Sequence, residues 1–198
     1  MNFAMWKKAL NVIPEVSKAE WDQLDVISKW LISTRAAVLV MTFISAALAG
    51  LFAWRDGLFV LVPWLALTLG LILDHASNNI FNDYTDFVRG VDKDNYFRTI
   101  YGAQPVASGL MTKRQHLTYF AVTGLLALAF GLYLVFINAG DPVIWILLGS
   151  GAFTYLYEGP GAYIKFTKLG NKIVYMEHVN ISLSTLTYWG ELKIITGK

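Results

Sequence analysis

Two uncharged apolar runs decide what kind of chain this is. Residues 36–54 and residues 117–139 form unbroken stretches of 19 and 23 positions without one charged side chain. About 20 apolar residues in a helix are what it takes to cross the hydrocarbon core of a bilayer. Hydrocarbon offers no partner for a free backbone amide, so a chain built on such runs must close its hydrogen bonds inside helices or in a barrel. With runs of this length the expectation is an all-α, polytopic transmembrane helical bundle. Composition agrees, because hydrophobic residues make up 56% of the 198 positions and charged residues only 15%, outside the usual soluble range on both counts. The net charge of +2 provides no broad basic field for nucleic acid, and the absence of cysteine excludes disulfides and thiolate metal sites.

Taken in order, the chain reads as one membrane domain over residues 1–198 with about five spans. Residues 1–35 form a cytoplasmic amphipathic segment, and its charged character marks a retained N-terminus and not a cleaved signal. Residues 1–14 are weakly patterned. Ser17 and Glu20 then fit a capping box, which predicts a helix start. Trp21, Leu24, Ile27, Ser28 and Leu31 fall on one face of that helix, with Lys18, Asp22, Asp25 and Lys29 on the other. The bundle occupies 36–198. Its spans are 36–54; a second that starts at 58–73 and turns polar at Asp74 and His75; 117–139, opened by a Thr112–Gln115 capping box; 141 to about 157; and 173–189, a less apolar segment carrying Glu177, His178 and Asn180. Polar loops fall at about 81–115 and 158–172. Lysine and arginine gather before the first span and in these two loops, with none between residues 139 and 142. The positive-inside rule therefore sets the N-terminus and both polar loops in the cytoplasm of a multi-pass cell-membrane protein.

Between the second and third spans lies the chemistry. Asn79, Asn82, Asp83 and Asp86 stand at i, i+3, i+4 and i+7, so a helix continuing out of the second span shows all four on one face. Magnesium is typically held by one or two carboxylates with water and phosphate oxygens completing its shell. Asp83 and Asp86 suit that duty, and the two asparagines add neutral carbonyl oxygens. Asp92 and Asp94 serve a second ion or simply solvate the loop. Arg89, Arg98, Lys165 and Lys168 complement a metal-bound diphosphate, although each alone also reads as a cytoplasmic-side marker. Asp74 and His75 serve a proton relay or helix packing equally well. Tyr155, Tyr157 and Tyr163 line a substrate pocket or belong to the interfacial aromatic belt.

The run from Asn82 to Asp92, reading NDYTDFVRGVD, resembles the first aspartate-rich motif of the UbiA superfamily of intramembrane prenyltransferases, in the form found in its 1,4-dihydroxy-2-naphthoate polyprenyltransferase branch. Arg98-Thr99, the Pro105-to-Gly109 element and, more loosely, Tyr163 to Lys165 with Lys168 to Gly170 are similar to the elements that follow in that family. The resemblance implies a magnesium-dependent transferase that moves a polyprenyl group from polyprenyl diphosphate to an aromatic acceptor like 1,4-dihydroxy-2-naphthoate, as in menaquinone-type quinone biosynthesis. It implies Asp83 and Asp86 as catalytic residues and Asn79, Asn82, Asp83, Asp86 and Asp92 as the metal set. Arg89, Arg98, Lys165 and Lys168 would hold the diphosphate, and membrane lipid would surround the prenyl tail.

Departures from the family pattern are also visible. Gln104 stands where many members have arginine, and Gly90 takes the place of the third aspartate in the ubiquinone-type motif. Members have about nine spans and a second aspartate-rich motif, so the chain reads as the N-terminal portion of such a bundle, expected to bind a prenyl diphosphate but not to turn it over alone. Two other readings compete: an incomplete or non-catalytic prenyltransferase-like scaffold, and a cation-binding transporter. A transporter would spread its acids through the spans, whereas here they collect at one edge beside cations.

Overall fold

The computed structural model describes residues 1–90 and 102–138, Trp145 and Gly149, and the backbone of four strands between 162 and 194. Six α-helices account for the first part: α1 (Phe3–Asn11), α2 (Lys18–Gln23), α3 (Val26–Ser33), α4 (Val40–Arg55), α5 (Leu61–Arg89) and α6 (Lys113–Ile137), with one 3₁₀ turn at Ala36–Val38.

The long helices fold back on one another, and the side-chain contacts fix their direction. Between α4 and α5, Trp64 Nε1 donates to the Ala46 carbonyl at 2.9 Å, and Thr42 Oγ1 meets His75 Nδ1 at 2.6 Å. Just before α4, the Thr34 carbonyl accepts from Asn79 Nδ2 at 2.9 Å. As one residue number rises the other broadly falls, so the two helices are antiparallel. Between α5 and α6 the sequence of contacts is Phe81 stacked on Phe120, the Ile80 carbonyl on His116 Nε2 at 2.8 Å, and Phe87 beneath the Lys113 ammonium. That pair is antiparallel too. Close approach between helices in a membrane relies on small residues, because lipid gives apolar side chains no reason to leave it. Gly50 provides such a position: a Cβ there would lie 2.4 Å from Trp64 Nε1, so the indole packs where no side chain stands.

The runs read from the sequence are realised in these helices. Among the described residues, Ala36–Arg55 and Lys113–Ile137 are long and apolar enough to cross a bilayer, and only 22% and 11% of their most apolar windows are buried. A soluble core helix would be mostly covered. Met41, Phe43, Leu48 and Phe52 on α4 and Leu125, Leu128, Leu132 and Phe136 on α6 instead lie open, as suits surfaces facing lipid or further helices. The 29 residues of α5 extend roughly 44 Å at 1.5 Å per residue, well beyond a hydrocarbon core of ~30 Å. Its last turns are polar, and α5 is not one of the two helices that are long and apolar enough to cross, so the second span expected from residue 58 onward is not among them.

The best-packed apolar core lies at that polar end. Met5 and Ala9 of α1, Trp21 of α2, Leu31 and Ile32 of α3, Ala76 of α5, and Ala103, Val106, Leu110 and Met111 of the following loop form one cluster. Residues 1–35 are thus a folded cap over the loop. The Pro14 carbonyl accepts from the Ala103 amide at 3.2 Å, and Lys18 Nζ donates to the Leu110 carbonyl at 3.1 Å. Ser17 caps α2 as expected, its hydroxyl accepting from the Glu20 amide at 3.2 Å. The expected continuous helix is nonetheless broken at Leu24, because Asp25 caps a new one. The Thr112–Gln115 capping box is complete in both directions.

The C-terminal part departs from the expected fifth span. Instead of a helix over 173–189, strands β1 (Ala162–Leu169), β2 (Lys172–Ile181), β3 (Leu186–Trp189) and β4 (Lys193–Ile194) form an antiparallel sheet with β2 central. Leu169 pairs with Lys172, leaving only Gly170 and Asn171 between the strands, a pairing typical of a two-residue hairpin. The β-branched and aromatic residues of KIVYMEHVNI favour strand over helix. The polar loop read at 158–172 likewise contains β1. The expected fourth span, 141 to about 157, lies outside the described residues apart from helical backbone at Trp145 and Gly149.

Candidate functional site

The acidic face read from the sequence exists as a surface of one helix. Α5 runs without interruption from its apolar start to Arg89 and ends because Gly90 adopts the left-handed conformation at φ 70°. Asp83 and Asp86 are 3% and 7% exposed, and Asn79 and Asn82 are half-buried beside them. Two acids this deeply covered are uncommon unless something pairs with them.

One pairing is plain. The Arg35 guanidinium, from the corner between α3 and α4, forms an ion pair with Asp83 Oδ1. The other oxygen, Asp83 Oδ2, is buried and has no hydrogen-bond partner among the described residues. A carboxylate oxygen so placed is costly to leave unmet, and a hard divalent cation is one group that would satisfy it. Among the described residues no three acids or histidines come together. The site therefore offers Asp83 and Asp86, with asparagine oxygens nearby, and would leave the remainder of a metal's shell to water and phosphate, as magnesium favours.

The asparagines have structural duties as well. Asn79 Nδ2 holds the Thr34 carbonyl, next to Arg35, and its Oδ1 is the atom left to serve as an acceptor. At Asn82 it is the backbone carbonyl that accepts, from Thr85 Oγ1 at 2.9 Å, which braces the turn bearing Asp83 and Asp86. His75, two turns below Asp83, bonds to Thr42 and ties α5 to α4. His116 is fully buried between the Ile80 carbonyl and Met111 Sδ and fixes α6 against α5.

Of the expected diphosphate ligands, Arg89 is exposed in the last turn of α5, where a cation complements the carbonyl end of a helix. The cation brought onto Asp83 is Arg35, which the sequence reading counted only as a charge preceding the first span. No spacing signal singled it out, since 48 positions separate it from Asp83. Lys113 lies 5.1 Å over the Phe87 ring, adding a second cation at this end. Tyr163, Lys165 and Lys168 fall on β1, opposite His178, Met176 and Ile173 of β2. Asp92, Asp94, Arg98, Tyr155 and Tyr157 lie outside the described residues.

Apolar helices with open flanks, joined to a polar end where two carboxylates are buried and one of them pairs with an arginine, define a helical membrane protein. The chain belongs to the UbiA prenyltransferase family, whose pattern matches residues 43–175. It is 32% identical over 142 residues to the 1,4-dihydroxy-2-naphthoate octaprenyltransferase of Escherichia coli (strain K12). That match takes in 67% of this chain but 44% of the relative, so the chain spans less than half the length of the protein it resembles. No solved structure matches.

Proposed function

We propose that this chain forms part of a magnesium-dependent polyprenyltransferase acting on an aromatic acceptor of the 1,4-dihydroxy-2-naphthoate type, in menaquinone-type quinone biosynthesis. The observation that carries the reading is the buried pair Asp83 and Asp86, one helical turn apart at the polar end of α5, with one Asp83 oxygen open and Arg35 on the other. Family membership and the relative's activity supply the chemistry that such a pair would serve.

Asp83 and Asp86 would hold the cation, with Asn79, Asn82 and Asp92 as supplementary oxygen donors. When bound, magnesium supplies neutralisation of the diphosphate charge that develops as the allylic C–O bond breaks. The residues of the chain have three tasks around it. Asp83 and Asp86 orient the diphosphate end of the substrate at the membrane edge, while the open apolar flanks of α4 and α6 accompany the prenyl tail in lipid. Arg89, Arg98, Lys165 and Lys168 compensate phosphate charge. Tyr155, Tyr157 and Tyr163 would wall the reacting carbon from water, which otherwise captures a carbocation-like centre. The acceptor's ring carbon attacks that centre, diphosphate departs, and the ring proton is lost to restore aromaticity.

The test is direct. Asp86→Ala should abolish magnesium-dependent binding of a prenyl diphosphate while leaving the helical circular dichroism unchanged. Undiminished binding by a folded Asp86→Ala protein would remove the carboxylate pair from the mechanism.

A further inference from the structure

Arg35 is the only non-glycine residue among those described with a positive φ, at φ 53° and ψ 54°. For a residue bearing a Cβ this backbone is strained, and it persists only where the surroundings hold it. Here they do so on several sides. The Arg35 amide donates to the Ile32 carbonyl at 3.0 Å, and its own carbonyl accepts from the Val38 amide at 2.9 Å. The preceding carbonyl, of Thr34, is pinned by Asn79 from α5. The corner and the acidic face are therefore tied together twice, once through the backbone of residue 34 and once through the side chain of residue 35.

The two halves of the ion pair are each incompletely used. Asp83 gives one oxygen to Arg35 and keeps the other open and buried. Arg35 is 18% exposed at its side chain, and a guanidinium carries five donors in a planar fork suited to phosphate. A bare divalent cation arriving at Asp83 Oδ2 meets the positive charge of Arg35 and is disfavoured by it. A cation arriving together with a diphosphate brings oxygens that the fork can take, and the same charge then becomes favourable.

We propose that Arg35 is a ligand-binding residue that makes cation binding and diphosphate binding at Asp83 depend on one another. It acts as the counter-ion of Asp83 while the site is empty and moves its spare donors onto phosphate oxygens when both ligands arrive. This inference rests on the function proposed above and adds to it a specific signature. Coupling between two ligands is reciprocal, so removing the residue that carries it must change both affinities, and here in opposite directions.

The experiment measures Mn²⁺ alone by electron paramagnetic resonance, and a prenyl thiodiphosphate, which resists ionisation, with and without Mn²⁺, on the protein in detergent. For Arg35→Gln, Mn²⁺ alone should bind about tenfold more tightly, the thiodiphosphate with Mn²⁺ about tenfold or more weakly, and the mutual enhancement should largely vanish, all within the range usual for coupled sites. Arg35→Lys keeps the charge but not the fork, so Mn²⁺ should bind as in the parent while only part of the thiodiphosphate affinity returns. A merely structural role would weaken both ligands together. Losses of the same sign for both ligands, or no change in either, overturn the inference for a folded Arg35→Gln protein. If Arg35→Gln does not fold, Arg35→Lys decides: full thiodiphosphate affinity in that variant overturns it. A parent protein that binds neither probe would instead overturn the proposed function itself.

Discussion

Gly90 joins the end of the acidic face to the backbone that terminates it. Its φ of 70° places it in the left-handed region, and its amide reaches back to the carbonyls of Asp86 and Phe87. The aspartate-rich pattern resembled in sequence has an alternative form with a third aspartate at this position. The structure supplies a physical reason for glycine, since helices commonly stop on a left-handed residue and only glycine takes that conformation without strain. Among the described residues a Cβ at Gly90 would meet nothing within 4 Å, so the penalty for a substitution is argued from conformation. Gly90→Ala should cost about 1 kcal/mol and, by loosening the last turn of α5, weaken diphosphate binding more than Gly90→Asn, which tolerates the left-handed region better. Chemical denaturation and the thiodiphosphate titration measure the two effects. Equal binding by both variants would separate the cap from the site. At this scale the acidic face was legible because helical spacing alone groups Asn79, Asn82, Asp83 and Asp86. Arg35 was not, because its partnership depends on a corner between two helices and a positive φ that arginine does not announce.

At the scale of elements, the cap formed by α1, α2 and α3 turns on one carboxylate. Asp25 opens α3 by accepting from the Ser28 amide at 3.0 Å, and its oxygens also receive the Asn2 amide and the Trp6 indole, binding α1 to α3. These bonds, the Ser28 amide first, hold its carboxyl well below the usual aspartate range against a smaller opposing effect of burial. A carboxyl whose folded pKa is depressed gives stability that is complete above its unfolded value, near 3.9, and lost as pH falls below it. The cap should therefore loosen as pH drops below about 4, seen as faster proteolysis within residues 1–35 and a change in tryptophan emission. Asp25→Asn retains a capping oxygen without the titration, so its acid-induced loosening should be reduced. Matching pH profiles for parent and variant would acquit Asp25. The same residue explains a limit of the sequence reading. The apolar stripe from Trp21 to Leu31 is consistent with one helix, and only the competition between Asp25 as a cap and Asp25 as an interior residue breaks it. Further along, the apolar residues of 173–189 suggested a span, while the two-residue Gly170-Asn171 spacing, a hairpin signal, carried the opposite information.

For the whole molecule, geometry and charge give independent parts of one topology. The ladder of contacts from Trp64–Ala46 to Asn79–Thr34, and from Phe81–Phe120 to Phe87–Lys113, makes α4, α5 and α6 successively antiparallel. Arg35, Asp83, Asp86 and Lys113 consequently share one end, and the turn after Arg55 shares the other with Asn138. Residues 1–35 hold five lysines and arginines and the turn at Arg55 holds one, a bias from which we expect the site end to face the cytoplasm. Because the chain has no cysteine, a single introduced thiol reports its own position. We expect Lys113→Cys to be labelled by an impermeant maleimide only from the cytoplasmic side, and Asp56→Cys and Asn138→Cys only from the opposite side. All three positions are exposed, so lack of reaction would reflect the membrane and not local packing. Labelling of Lys113→Cys and Asn138→Cys from the same side would contradict α6 as a span. Labelling of all three with the sides exchanged would keep the antiparallel fold but move the acidic site, and with it the access of a charged diphosphate, to the other face of the membrane.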